Sequence, residues 1–428
     1  MLNYFEKIEY NLDKIWFQSL GGMYTGRGLL TWDPENGFHI DAFIERKGPN
    51  LPSPIPLGKV GYISKEDTNS IRMKSKSFNA IIPYAILNNH IELIWDSRLS
   101  FNSSRIIIFN RYKNEKINEL SGSVLLKTKG NLILPSNVKT TEKVGNEKEF
   151  IGSKNLISHK SEDHSIKGEY YKNNYLSLWY NLSTNKWSRY HCWKWAEAAR
   201  YALSIITEQD ICLLHRKISR GNQTIEEIHK TKDIDSLDIF SSLGFGEPIN
   251  QDLFVKLTEY FLSEDSMNAN NIRVCKNIFN QLIEASRQKT RQGRELLIST
   301  ILEAALRTIY DIPYKPRKRN INIGQNLEKF CKDYFSEEWT SICTNVEKVF
   351  KDMRNRNAHP DWLIKKEGSL SEESLSIALD DIIFLSRFYG YMILALAGLK
   401  NFEPRFPPPH KKWKPMATIG TVEENNGG

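Results

Sequence analysis

Cysteine is scarce in this chain and poorly placed for chemistry: Cys192, Cys212, Cys275, Cys331 and Cys343 form no CxxC pair and stand far apart. An odd number at wide spacing predicts small buried hydrophobes in a reducing compartment rather than a disulfide scaffold or a zinc site. Long apolar runs are missing as well. The longest, Tyr391 to Leu399, covers nine residues, against the roughly 20 needed to cross a bilayer. Met1-Leu2-Asn3-Tyr4-Phe5-Glu6 has no basic segment leading into an apolar one, so no signal peptide or membrane partner is expected and the cytoplasm is the expected location. GxxxxGKS, GxxxxGKT, GxGxxG and HExxH do not occur, which leaves ATPase, dinucleotide and zincin readings without a motif. His159 and His164 lie in a stretch that reads as a loop, with no second cluster to complete a coordination sphere. No metal site and no cofactor are therefore expected.

What is present describes an ordinary globular protein: 40% hydrophobic and 11% aromatic residues, with 24 Gly and 16 Pro in 428 residues. That length predicts two or three domains. A net charge of +8 permits a nucleic-acid partner without requiring one.

The chain changes texture near residue 190. Before it, short runs rich in β-branched and aromatic residues alternate with Gly, Asn, Pro and Ser. Gly28 to Trp32, the turn Asp33-Pro34-Glu35-Asn36-Gly37 and Phe38 to Ile44 predict a hairpin; Ile91 to Trp95, Arg105 to Phe109, Ser123 to Lys127 and Tyr170 to Trp179 predict further strands. After it, Trp193 to Ile206 is Ala- and Leu-rich and Asp210 to Ile218 reads as a continuation, both helical. A second helical series starts near Gln251. It includes Glu295 to Ile309, an apolar stripe at Trp339, Ile342, Cys343, Val346, Val349, Phe350 and Met353, and a last helix opened by a Ser369 and Glu372 capping box. The second half of that helix is apolar all round, which predicts burial in a bundle centre or in a homodimer interface. The expected fold class is α+β: a β-rich N-terminal domain, sandwich or open barrel, over 1–188, a helical connector over 189–249, a helical domain over 250–402 and a Pro/Lys-rich tail over 403–428.

Arg354-Asn355-Arg356-Asn357-Ala358-His359 follows the apolar stripe and precedes Pro360. A cation, an amide and an imidazole in one short stretch can cleave RNA without a metal. The imidazole moves the 2′-hydroxyl proton, and the guanidinium holds the phosphate as charge builds on it. Spacing alone is weak: Arg405 to His410 repeats it, with three prolines that forbid a helix. Asn355, the helix that fixes Arg354, and Pro360, which turns His359 out of helical geometry, favour the first match. The alternative is an exposed helix end whose cations meet the C-terminal dipole.

Residues 251 to 400, with the run Met353 to Pro360, resemble the HEPN superfamily of prokaryotic ribonucleases and nucleotide-binding modules, in particular the ApeA-like branch associated with abortive-infection defence against phage. Gly26 to Ile44 is similar to the β-rich N-terminal region of ApeA proteins. The resemblance implies a HEPN-type bundle, with His359 as general acid/base, Arg354 as phosphate anchor and Asn355 as the orienting polar residue. It also implies metal-independent cleavage leaving a 2′,3′-cyclic phosphate, RNA (tRNA among the candidates) as substrate, a homodimer or higher homo-oligomer that completes the cleft, and a phage-derived trigger. A non-catalytic HEPN module for nucleotide binding or dimerisation is the alternative reading.

Arg356, together with Lys315, Arg317, Lys318 and Arg319, is the candidate RNA-binding set. Residues 281 to 320 hold nine Lys or Arg against four Asp or Glu, a density that can track an RNA backbone or form a solvated loop. Glu303 is the candidate support for Arg354, or equally a surface carboxylate.

Overall fold

The Asp33 to Gly37 turn behaves as its residues demand. The backbone N–H groups of Glu35 and Asn36 donate to the Asp33 side chain at 2.9 and 3.1 Å, and Gly37 has φ +87°. A Cβ at Gly37 would stand 2.7 Å from the Ser103 carbonyl oxygen, so only glycine closes this turn. The strands on either side pair from Met23↔Lys47 to Asp33↔Gly37, with Leu30, Trp32, Phe38, Ile40 and Ala42 buried on one face. Alternation of period two sends each of these side chains inward.

In the computed structural model the described residues are all but 1–3, 20–21, 48–70, 77, 83–85, 93–96, 112–119, 131–133, 135, 145–146, 173, 184–187, 221–222, 247, 264–265, 314–321, 336–338, 359–371, 400 and 407–428. In chain order the strands are β1 (Ile8–Ser19), β2 (Gly22–Asp33), β3 (Gly37–Lys47), β4 (Ile71–Lys74), β5 (Asn79–Ile82), β6 (Ile86–Glu92), β7 (Ser97–Ser103) and β8 (Arg105–Arg111). There follow β9 (Leu120–Lys127), β10 (Ser136–Val144), β11 (Glu147–Lys160), β12 (His164–Lys172), β13 (Tyr175–Leu182), then helix α1 (Arg189–Thr207), then β14 (Cys212–Arg220) and β15 (Gln223–His229). The helices α2 (Gln251–Leu262), α3 (Ser266–Ser286), α4 (Arg291–Ile309), α5 (Ile323–Tyr334), α6 (Thr340–Ala358) and α7 (Glu372–Leu396) complete the chain. The strands join in the order β10-β11-β12-β13-β9-β14-β15-β8-β5-β4-β1-β2-β3-β7-β6, and the registers among them are antiparallel, as in β9 with β13 and β14. The chain is thus β-rich first and helical later, as expected.

Three local expectations are corrected. Asp210 to Ile218 is not helical: α1 stops at Thr207, Glu208 takes φ +57°, and β14 then pairs with β9 and β15. The 189–249 segment is therefore a helix followed by a hairpin that returns to the sheet, not a helical connector. Tyr170 to Trp179 is two strands, because the chain turns at Asn174 with φ +75°, a conformation Asn tolerates better than most residues. Asn155 to His164 is the β11/β12 hairpin rather than a loop, with the His159 and His164 rings 4.9 Å apart.

A fourth correction concerns cysteine. Cys331 of α5 and Cys343 of α6 form a disulfide, while Cys192, Cys212 and Cys275 are buried and outside any disulfide. The chain divides into two compact units. One comprises Met1–Lys127, Leu156–Ala196 and Cys212–Asp233; the other comprises Thr128–Asn155, Glu197–Ile211 and Ile234–Gly428.

Within the second unit, α2, α4 and α5 each begin at a capping side chain. Asn250 accepts from Leu253 N–H at 3.0 Å, Thr290 from Gly293 N–H at 3.1 Å and Asn322 from Gln325 N–H at 3.1 Å. Such caps satisfy N–H groups that no helical carbonyl can reach. The end of α7 lies in the core: Phe384, Leu385, Phe388, Tyr389, Tyr391, Met392, Ile393 and Leu394 are all buried within one chain. Of the two expected settings, the bundle centre is the one observed. The Tyr389 hydroxyl donates to the Ile298 carbonyl at 2.7 Å, tying α7 to α4. Trp339 stacks on Phe335 with ring centroids 4.0 Å apart and meets Tyr391 edge-on at 5.2 Å. No helix among the described residues is long and apolar enough to cross a membrane. The Ser369 half of the expected capping box lies outside the described residues.

Candidate active site

The apolar stripe of α6 decides where the motif faces. Ile342, Cys343, Val346, Val349, Phe350 and Met353 are buried, so the next position turns outward, and the Arg354 side chain is 50% exposed. Its guanidinium carbon lies 5.4 Å from the Phe350 ring centroid. Its head donates from one terminal nitrogen to Glu303 Oε2 at 2.9 Å. Glu303 Oε1 meanwhile accepts from Nε and a terminal nitrogen of Arg307 at 3.0 and 2.9 Å. One carboxylate on α4 therefore holds an arginine from its own helix and the motif arginine from α6. Glu303 thus stands directly against Arg354.

Arg354 and Asn357 line a cleft of about 460 Å³ together with Thr290, Gln292, Gly293 and Leu296 from the start of α4. Thr290 is the N-cap of that helix, so the cleft combines a helix N-terminus with a guanidinium, and both favour negative charge. The Asn357 amide donates to the Met353 carbonyl at 2.9 Å. Asn355 is exposed on the same turn. The chain reaches Ala358 as helix; His359 lies outside the described residues, as do Lys315, Arg317, Lys318 and Arg319.

Arg356 departs from its expected role in RNA binding. Its side chain is 10% exposed and turned into the bundle, donating to Asp381 Oδ2 of α7 at 2.9 Å and to Glu295 Oε1 of α4 at 3.4 Å. A guanidinium already shared by two buried carboxylates is not available to a phosphate. Burial pushes the Glu295 carboxyl above its ordinary range, and the charges of Arg356 and Arg291 offset only part of that rise. The residues that sequence reasoning passed over are thus Glu295, Asp381, Arg307 and Asn357. Asn357 stood inside the motif. Glu295 and Asp381 carry no local signal, since an acid on a predicted helix is by default a solvated one, whereas Arg307 lies four residues from Glu303 on the same helix.

Among the described residues no group of three or more His, Cys, Asp and Glu could hold a metal ion. Comparison of this chain with protein-family models, with curated proteins and with solved structures found no match in any of the three.

Proposed function

We propose that helices α2 to α7 form a HEPN-type bundle and that the chain is a metal-independent endoribonuclease. Arg354 binds the scissile phosphate, His359 is the general acid/base and Asn355 orients one of the two. One observation above all supports this reading: at the end of a helix anchored by its apolar stripe, Arg354 presents a half-exposed guanidinium to a cleft of about 460 Å³, five positions before the histidine. In this scheme the ribose 2′-oxygen attacks the adjacent phosphorus while its proton passes to a base. The 5′-oxygen leaves with a proton from an acid, and a 2′,3′-cyclic phosphate remains. A second copy of the chain completes the cleft. The cellular role is abortive-infection defence, with the β-rich region as sensor or brake for a phage-derived trigger.

The test is direct. Purified full-length protein is incubated with tRNA and with other RNA in EDTA, and the new ends are mapped for wild type and His359→Ala. New 2′,3′-cyclic phosphate ends made by the wild type and lost in the variant are expected; intact RNA with the wild type overturns the reading. Glu303→Gln keeps a hydrogen-bond acceptor opposite Arg354 but removes the charge. A drop in kcat of about 3- to 10-fold is expected, with a stability change below about 1 kcal/mol because the pair is partly exposed. Steady-state rates and a thermal melt check both halves.

A further inference from the structure

We infer that Arg356 is a positioning residue for this site, an assignment that rests on the reading of Arg354 to His359 as the RNA-cleaving motif. Two residues apart on a helix, side chains leave about 200° apart. Arg354 goes to the cleft and Arg356 goes inward. There it meets Glu295, 1% exposed, and Asp381, 3% exposed, which arrive from α4 and α7. Its Nε, also buried, has no acceptor among the described residues, so the two terminal nitrogens make both links.

Stability alone is a poor reason for such a triad. Taking two carboxylates and a guanidinium out of water is costly, and apolar residues of the same volume often hold a core equally well. Geometry is the better reason. A planar guanidinium that bridges two acceptors fixes both the roll and the depth of the helix that bears it, which a point charge does not do. The helix turn fixed here is the last of α6, with Arg354 on its outer side and His359 next after its final residue, Ala358. Arg354 to Glu303 adds a second link from the same turn to α4. A catalytic group displaced by about 1 Å can lose roughly 100-fold in rate, so the turn that presents Arg354 to the cleft gains from being held on two sides.

The test uses the full-length chain and three variants. Asp381→Asn and Glu295→Gln each weaken one link while leaving Arg356 opposite one carboxylate, and Arg356→Lys keeps the charge without the fork. Steady-state RNA cleavage is measured beside backbone amide exchange. A fall in kcat of about 10- to 100-fold is expected for Asp381→Asn, with KM within about twofold and faster exchange confined to residues 354–358. Arg356→Lys should be equally slow. A kcat within twofold of wild type in all three overturns the assignment. So does a loss of protection across the whole unit with KM rising in step, the mark of a merely structural tie. If the wild type cleaves no RNA, the nuclease reading falls by itself and exchange decides the rest: acceleration confined to 354–358 supports the clamp, and unchanged exchange overturns it.

Discussion

Arg354→Ala is expected to lower kcat for RNA cleavage by about 10²- to 10³-fold, the usual cost of removing one preorganised group that stabilises transition-state charge. The same change should leave the fold almost untouched. The Arg354 side chain is 50% exposed and its link to Glu303 is a surface-type pair, worth about 0.2–1 kcal/mol. Arg356, two residues on, should differ when truncated, because a large loss of stability then accompanies the loss of rate. Arg356→Ala leaves Glu295 and Asp381 buried without their shared cation, at a cost of about 3–5 kcal/mol. Arg354→Lys provides the control: it keeps a positive charge at the cleft and loses the planar fork, so a partial recovery over Ala is expected. Single-turnover cleavage with urea unfolding of each variant separates the two arginines. Wild-type cleavage by Arg354→Ala would remove this residue from the chemistry.

That contrast also marks how far the sequence could be read. The stripe from Trp339 to Met353 was legible because one face of α6 packs on its own neighbours at the helical period. The same face leaves Arg354, directly after buried Met353, half-exposed. Arg356 was not legible: its partners lie 61 and 25 residues away, on helices whose relative placement no local pattern encodes. The same difficulty hid β14. Cys212, Leu213 and Leu214 are buried in succession and Arg216 is buried as well, so the alternation that announces a half-buried strand is masked by an inward-facing charge. The Asp33 to Gly37 turn lies at the other extreme. Its capping aspartate, its positive-φ glycine and the alternating residues on each side are all local, and the hairpin follows from them. The disulfide between Cys331 and Cys343 depends on how α5 meets α6, which spacing in the chain does not report.

The charge that hid β14 supports the second large effect, a stability change in the first unit. Glu227 of β15 is fully buried and pairs with Arg105 of β8, Arg216 of β14 and, at 3.1 Å, the His229 ring. Arg216 in turn donates to the Trp193 carbonyl at 3.0 Å and lies 3.8 Å from the Trp193 ring centroid. Burial pushes the Glu227 carboxyl up, but the close His229 ring and the charges of Arg216, His229 and Arg105 outweigh it and hold the group at about 2, against an ordinary 4.5. A carboxylate whose folded pKa lies below its unfolded one stabilises the fold fully above the unfolded value and loses that contribution as pH falls through the folded one. The window is therefore pH 4.5 down to about 2, and a shift of that size corresponds to roughly 3 kcal/mol. Glu227→Gln keeps the shape and removes the charge, leaving Arg216 buried without its counter-ion, so a loss of about 3–5 kcal/mol at pH 7 is expected. The loss should shrink towards zero as the wild type is titrated through that window, because the protonated carboxyl and the amide then present the same neutral group to both arginines. Urea unfolding of the two proteins at pH 7, 4 and 2.5 measures this convergence. A stability gap that stays constant across the three would assign the role of Glu227 to shape rather than charge.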